Sequence, residues 1–278
     1  MDEANAADVA GVPASTLNLI DLSSSDIRRS VSLLKQACLD SGFFYVINHG
    51  VSQELMEEVF VQSRRFFGLP LSEKMKLLRN EKHRGYTPLF DQVLDPANQI
   101  NGDYKEGYYI GVEVPEDDPR AQKPHFGPNL WPSEGLVSDP FKGIYGAGAH
   151  SDFGFITLLA TDDVPGLQIC KNKDAKPLKW EYVQPMRGPF IVNLGDMLER
   201  WSNCIFRSTL HRVIGNGQER YSIASFLEPN HDCLIECLPT CMSKENPPKF
   251  PPVQCQTYLS QRLDDTHADL NVYRREGA

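Results

Sequence analysis

From residue 143 onward the chain is a run of short strand-like segments: 143–150, 154–160, 166–170, 180–184, 189–193, 208–215, 220–227 and 233–238. Strands this short and this closely spaced build a sandwich or a barrel. In either architecture successive side chains of a strand point to opposite faces, so residues i and i+2 share one face. Chemistry in this part of the chain is therefore to be sought at a spacing of two.

The sequence ahead of these strands has helical character. Residues 1–16 read as a flexible tail, and Leu17-Asn18-Leu19-Ile20 as a short strand. Ser24 or Ser25 can cap a helix that carries Ile27, Val31, Leu34 and Cys38 at helical spacing. Gly42 ends the turn, and Phe43-Phe44-Tyr45-Val46-Ile47 has the composition of a buried strand. Ser52 can cap a second helix, with Leu55, Val59, Phe66 and Phe67 on its apolar side and Pro70 as its stop. A short third helix is expected from Ser72 to Leu78. Residues 80–137 are rich in Pro, Gly, Asn and Asp, which predicts loops with short strands such as 107–114. A last helix is expected over 255–272, with Tyr258, Leu259, Leu263 and His267 roughly on one side.

Charge and composition exclude some functions. The net charge is −9, with no long basic run, which argues against nucleic acid and anionic membranes as partners. The acidic start is followed by no apolar signal region, and no apolar stretch reaches the ~20 residues of a membrane helix. The expected compartment is the cytoplasm. The seven cysteines read as free thiols. Cys233, Cys237 and Cys241 recur every fourth residue, but no second pair completes a zinc site, and His231 is expected on an exposed turn.

The chemically informative residues are His150, Asp152, His211, Arg220 and Ser222. His150 and Asp152 lie two apart and can point into one cavity, and a neighbouring strand must deliver His211. Two imidazoles and one carboxylate on one face leave three positions of an octahedron open, as an oxygen-activating iron(II) site requires. Arg220 and Ser222 repeat the spacing of two. The Arg fork matches a carboxylate and the Ser hydroxyl adds a donor. A ligand carboxylate is one partner for Arg220; Asp196 and Glu199 are the alternatives within the chain. His49, in the turn Asn48-His49-Gly50, reads as structural.

With these motifs in order, the chain resembles the plant-type iron(II)/2-oxoglutarate-dependent dioxygenases, a group that includes hyoscyamine 6-hydroxylase-like proteins. The likeness runs through Gly42 to Gly50, Arg84-Gly85-Tyr86, Gly148-Ala149-His150-Ser151-Asp152-Phe153-Gly154, Asn193-Leu194-Gly195-Asp196, Ser208 to Val213 and Arg220-Tyr221-Ser222. It implies an α+β fold, a double-stranded β-helix (jelly roll) behind a helical N-terminal region. The implied organisation is a tail at 1–16, an N-terminal region at 17–137, a jelly-roll core at 138–254, and a helix and tail at 255–278. It also implies that His150, Asp152 and His211 bind iron(II) as the catalytic centre. Arg220 and Ser222 would hold the distal carboxylate of 2-oxoglutarate, and Phe226 would lie near the substrate. O2 is the oxidant and ascorbate a candidate reductant. The expected partner is a small-molecule substrate whose C–H bond is oxidised as succinate and CO2 are released, on a monomeric protein.

The chain departs from the family before its first metal motif. Asn129-Leu130-Trp131-Pro132 runs almost directly into Ser138-Asp139-Pro140, where the family has a packing helix and the first jelly-roll strand. An incomplete jelly roll is expected, with an uncovered apolar face and a new sheet edge. A shortened isoform with impaired catalysis, which retains metal or partner binding, is the second reading. A related cupin-like metalloprotein, or an oxygenase that does not use 2-oxoglutarate, is the third. Cys204, where the family has Gly, predicts strain of about 1 kcal/mol if its turn is left-handed.

Overall fold

The computed structural model describes residues 12–99, 101–132 and 145–268. The N-terminal part contains β1 (Asn18–Asp21), α1 (Ile27–Asp40), β2 (Phe43–Ile47), α2 (Gln53–Phe67), α3 (Leu71–Met75), β3 (Gly85–Thr87) and β4 (Gly107–Tyr109). It is followed by β5 (Tyr145–His150), β6 (Ile156–Thr161), β7 (Leu167–Cys170), β8 (Glu181–Tyr182), β9 (Phe190–Leu194), α4 (Asp196–Trp201), β10 (Leu210–Ile214) and β11 (Ser222–Leu227). The chain continues through β12 (Leu234–Ile235), β13 (Val253–Gln254) and α5 (Cys255–Thr266).

Two sheets form the jelly roll. One has the order β1-β2-β9-β6-β11 and the other β5-β10-β7-β8. All neighbours are antiparallel except β1 and β2. Alternation along β2 explains how the core divides. Phe43 and Tyr45 point between the sheets, where they meet Leu167, Ile169, Val183 and Ile191. Phe44 and Val46 point the other way, joining Ile20, Ala37, Val192 and Leu194 beneath α1. Both faces of β2 are buried, which is why its sequence is continuously apolar. Each large side chain buried there contributes roughly 1.5–3 kcal/mol.

Among the described residues β11 is a sheet edge, paired with β6 alone, and Phe226 and Leu227 are 51% and 46% exposed. The expected loss of cover appears on the helices too. In α1 only Ala37 is buried, while Ile27 and Val31 are exposed. In α2 the expected apolar side is turned out at Leu55 and Val59, and Met56 is the buried residue.

Several local expectations need correction. Asp26, not Ser24 or Ser25, caps α1, by accepting from the Arg29 amide at 3.0 Å. A carboxylate at the positive end of the helix adds a charge term that a hydroxyl lacks. Ser52 does cap α2. The third helix is Leu71–Met75, shorter than expected, and the strand expected over 107–114 ends at Tyr109. Beyond Tyr109, Asn129 closes on Gly111 through side-chain hydrogen bonds and replaces the ladder. Asn203 and Cys204 both adopt positive φ, +51° and +65°, so the strained turn is present. Residues 133–144, which contain the expected junction at 138, and the expected final helical turn at 269–272 lie outside the described residues. Among the described residues no helix is long and apolar enough to cross a membrane.

Candidate metal centre and co-substrate site

His150 and His211 are register partners across β5 and β10, with ring centroids 4.3 Å apart. Each turns Nδ1 to a carbonyl two residues back on its own strand, His150 to Gly148 at 2.7 Å and His211 to Thr209 at 3.0 Å. A carbonyl only accepts, so each Nδ1 carries the proton and each Nε2 keeps a free lone pair. Asp152 Oδ1 lies 3.7 Å from His150 Nε2 and 3.5 Å from His211 Nε2. Its other oxygen, Oδ2, accepts from Thr157 Oγ1 at 2.5 Å and Asn193 Nδ2 at 2.6 Å.

Three donor atoms thus remain free and face one another. All lie within 4.8 Å, and no other group of three or more His, Cys, Asp or Glu among the described residues is so arranged. Cys233, Cys237 and Cys241 are free thiols outside any such group. Burial, and then the neighbouring His211, pushes the His150 imidazole down to about 3, so it stands neutral, the form that coordinates a metal. Burial alone would raise the Asp152 carboxyl; the two imidazoles and the bonds from Asn193 and Thr157 outweigh it and hold the group ionised below its ordinary range. Phe43 stands edge-on to His211 at 5.4 Å and closes one side of the centre.

Register also places the second set. Phe226 on β11 pairs with Thr157 on β6, and Ser222 pairs with Thr161. Thr157 reaches Asp152, so this is the face turned to the metal centre. By alternation Arg220, Ser222 and Phe226 share it. Arg220 Nε is buried with no hydrogen-bond partner. Neither alternative partner engages it. Asp196 accepts from Ser208 Oγ and Tyr258, and Glu199 from Ser208 N and Lys173. Burial lowers the Arg220 pKa, with only the charge of Asp162 opposing it. A guanidinium so placed fits a ligand carboxylate.

Other expected residues are structural here. His49 Nε2 contacts the Gly188 carbonyl at 2.9 Å. His231 is not on an exposed turn; it is half-buried, edge-on to Phe126. Sequence reading gave no role to Thr157, or to Asn193 beyond its motif, because neither spacing nor residue type marks a side chain that anchors a carboxylate. It also missed Asp103, whose Oδ1 accepts from the Gly148 amide at 2.8 Å and Gln99 at 2.9 Å. A side chain at Gly148 would collide with Gln99.

Residues 17–134 match the family model described as the non-haem dioxygenase in morphine synthesis N-terminal region. Residues 118–229 match that of the 2OG-Fe(II) oxygenase superfamily. The chain is 42% identical to kihadalactone A synthase of Citrus sinensis, over 93% of this chain and 94% of that protein. The chain belongs to the 2-oxoglutarate- and iron(II)-dependent oxygenases. Azadirone synthase of Melia azedarach shows similar likeness, 42% identical over 91% of this chain and 93% of its own length. Among solved structures, a full-length Neurospora crassa protein in complex with alpha-KG has a TM-score of 0.73 and 27% identity, covering 95% of this chain and 99% of that one. The alignment with the Citrus protein runs to 317 positions, while 93% of 278 residues is about 258, so this oxygenase lacks about 59 residues across the same span. The two family matches also run into one another over 118–134, ahead of β5, where the sequence predicts lost chain. An oxygenase of this family uses iron(II), O2 and 2-oxoglutarate to oxidise a small-molecule substrate.

Proposed function

We propose that this oxygenase oxidises a C–H bond of a small organic metabolite at a centre held by His150 Nε2, His211 Nε2 and Asp152 Oδ1. The observation that carries this reading is the occupation of every other donor: both Nδ1 atoms and Asp152 Oδ2 are engaged within the protein. Iron(II), when bound, supplies the activation of O2 and the oxidative decarboxylation of 2-oxoglutarate to succinate and CO2. The backbone carbonyls of Gly148 and Thr209 fix the two ring orientations. Arg220 and Ser222 take the distal carboxylate of 2-oxoglutarate, which supplies the missing partner of the buried guanidinium. Phe43 excludes water from one side of the centre, and Phe226 lines the substrate side. The likeness to two plant synthases supports a plant secondary metabolite as substrate. The acidic balance of −9 supports a monomer that binds neither nucleic acid nor anionic membrane.

Anaerobic titration with iron(II) and 2-oxoglutarate tests the reading. A metal-to-ligand charge-transfer band is expected from the native chain and not from Asp152→Ala or His211→Ala. Absence of the band at high protein and co-substrate concentration would remove the reading.

One observation favours a second reading, a shortened form with impaired turnover. β11, which carries Ser222 and follows Arg220, is a sheet edge among the described residues. An edge strand has lost half its ladder, so Arg220 and Ser222 are aimed less rigidly than in a closed sheet. Thermal melting and gel filtration beside a chain with the lost segment restored decide the matter. Equal cooperativity and equal elution as a monomer would show that the edge is harmless.

A further inference from the structure

One cation beside the metal centre belongs neither to the ligand set nor to the co-substrate clamp. Lys105 lies in the segment that leads into β4. Its neighbour Glu106 turns to Lys74 at 2.5 Å and the Tyr86 hydroxyl at 2.6 Å. Lys105 turns instead to Asp103, with Nζ 3.6 Å from Oδ2. Asp103 is fully buried, and its other oxygen holds the Gly148 amide and Gln99. Gly148 stands two residues before His150 on β5, so Asp103 ties the Lys105 ammonium to the strand that carries the first candidate ligand.

The pair is incomplete as a structural ion pair. Oδ2 of Asp103 is buried and makes no hydrogen bond, and 3.6 Å is too long for one. Lys105 has three donors, none spent on a short bond to Asp103. The side chain is half-buried, with 35% of it accessible, so the ammonium is not sealed among packed side chains. It stands on the side of the metal centre, because Gly148 and His150 share a face of β5, and on that face Gly148 meets Gln99, which donates to Asp103. Tyr109, at the end of β4, has its hydroxyl 3.0 Å from His267 Nε2.

We propose that Lys105 is a specificity-determining residue whose ammonium receives a carboxylate or carbonyl oxygen of the substrate and so selects which C–H bond meets the metal. A half-buried cation with free donors gains most from an anionic or strongly polar oxygen, through a charge-assisted hydrogen bond. Asp103 acts as its positioning residue. The inference rests on His150, Asp152 and His211 forming the metal centre. The same chemistry could come from the metal-bound end of 2-oxoglutarate, and the arms of the test separate the two sources.

Benzoate and benzyl alcohol serve as the probe pair, one with and one without the carboxylate. They are titrated into the anaerobic iron(II)/2-oxoglutarate complex, followed by the charge-transfer band, and into the metal-free protein, followed by tryptophan fluorescence. Benzoate is expected to act at roughly tenfold lower concentration than benzyl alcohol, the scale of one charge-assisted hydrogen bond. Lys105→Met abolishes that preference, Lys105→Arg keeps it, and 2-oxoglutarate affinity stays within about threefold. Should Lys105→Met fail to fold, Asp103→Asn/Lys105→Met, which removes both charges, takes its place. The proposal is overturned if native protein does not respond to benzoate, or if Lys105→Met keeps the preference. It is equally overturned if 2-oxoglutarate affinity falls while the preference survives, which assigns the cation to the co-substrate. A native protein with no charge-transfer band overturns the metal reading alone, and the fluorescence arm still judges Lys105.

Discussion

Thr157 and Asn193 face each other across β6 and β9, and both donate to the same oxygen, Oδ2 of Asp152. One cross-strand pair thereby decides which oxygen of the carboxylate is free. It leaves Oδ1 within 3.5 Å of His211 Nε2 and 3.7 Å of His150 Nε2. The geometry of the centre is set by the ladder between two strands that carry none of its candidate ligands.

Removing that anchor should weaken metal binding without removing a ligand. Thr157→Val and Asn193→Leu are expected to lower iron(II) affinity by about 10–100-fold, the usual cost of losing such an outer hydrogen bond. Thr157→Ser, which keeps the hydroxyl, should bind nearly as the native chain does. Anaerobic metal titrations, with circular dichroism to confirm the fold, provide the check. Native affinity in both variants would show that Asp152 needs no anchor.

Arg220 offers a prediction with two opposite signs. Its Nε is buried without a partner, and burial disfavours the charged form against the pull of Asp162. Arg220→Met should therefore raise the melting temperature of the ligand-free protein, since a desolvated donor without a partner is gone. The same change should weaken 2-oxoglutarate binding on the order of 100-fold, through loss of two charge-assisted hydrogen bonds. Arg220→Lys keeps the charge but loses the fork and should fall between. Melting curves with and without 2-oxoglutarate read both effects, and a fall in ligand-free stability would contradict the first.

Acid should destabilise the protein through a row of half-buried imidazoles. His83 stacks near His125 at 5.2 Å and His267 at 5.3 Å. Burial, and then the Arg79 charge and the adjoining imidazoles, pushes His83 from 6.5 down to about 3, and burial pushes His267 down to about 4. Below 6.5 the unfolded chain binds protons that the folded chain does not, so stability is lost as pH falls from 6.5 towards 4. His83→Asn, which tolerates the positive φ of +52° at this position, should melt with a flatter pH dependence over that window. Equal slopes for the two proteins would clear His83 of the effect.

Cys204 carries strain that a glycine would relieve. Its φ is +65°, and its only side-chain hydrogen bond is a 3.7 Å contact to Glu199. Cys204→Gly is expected to stabilise the protein by about 0.5–1 kcal/mol, the left-handed penalty less the added freedom of the unfolded chain. Urea denaturation midpoints measure this, and a lower midpoint for the variant would mean that the packing of the thiol outweighs the backbone.

Sequence alone determined the features that depend on local spacing. The i, i+2 pairs His150/Asp152 and Arg220/Ser222 share faces because a strand alternates, whatever surrounds it. The cap at Ser52, the buried run at Phe43–Ile47 and the strained turn at Cys204 are likewise local matters of backbone and burial. The lost chain before β5 was legible only against the resembled family, which carries a packing helix and a strand between its Trp-Pro region and the first metal motif.

Tertiary structure decided everything that depends on which strands become neighbours. The ladder between β5 and β10 sets His211 opposite His150, and Asn193 acts on Asp152 because β9 pairs with β6. Asp103 reaches the strand that carries His150 from a loop whose composition predicts only turns. His83, His125, His231 and His267 come together from four separate segments. Contacts of this kind follow from register and from the packing of distant segments. Hydrophobic periodicity records the faces of each element and carries no information about which element will lie against it.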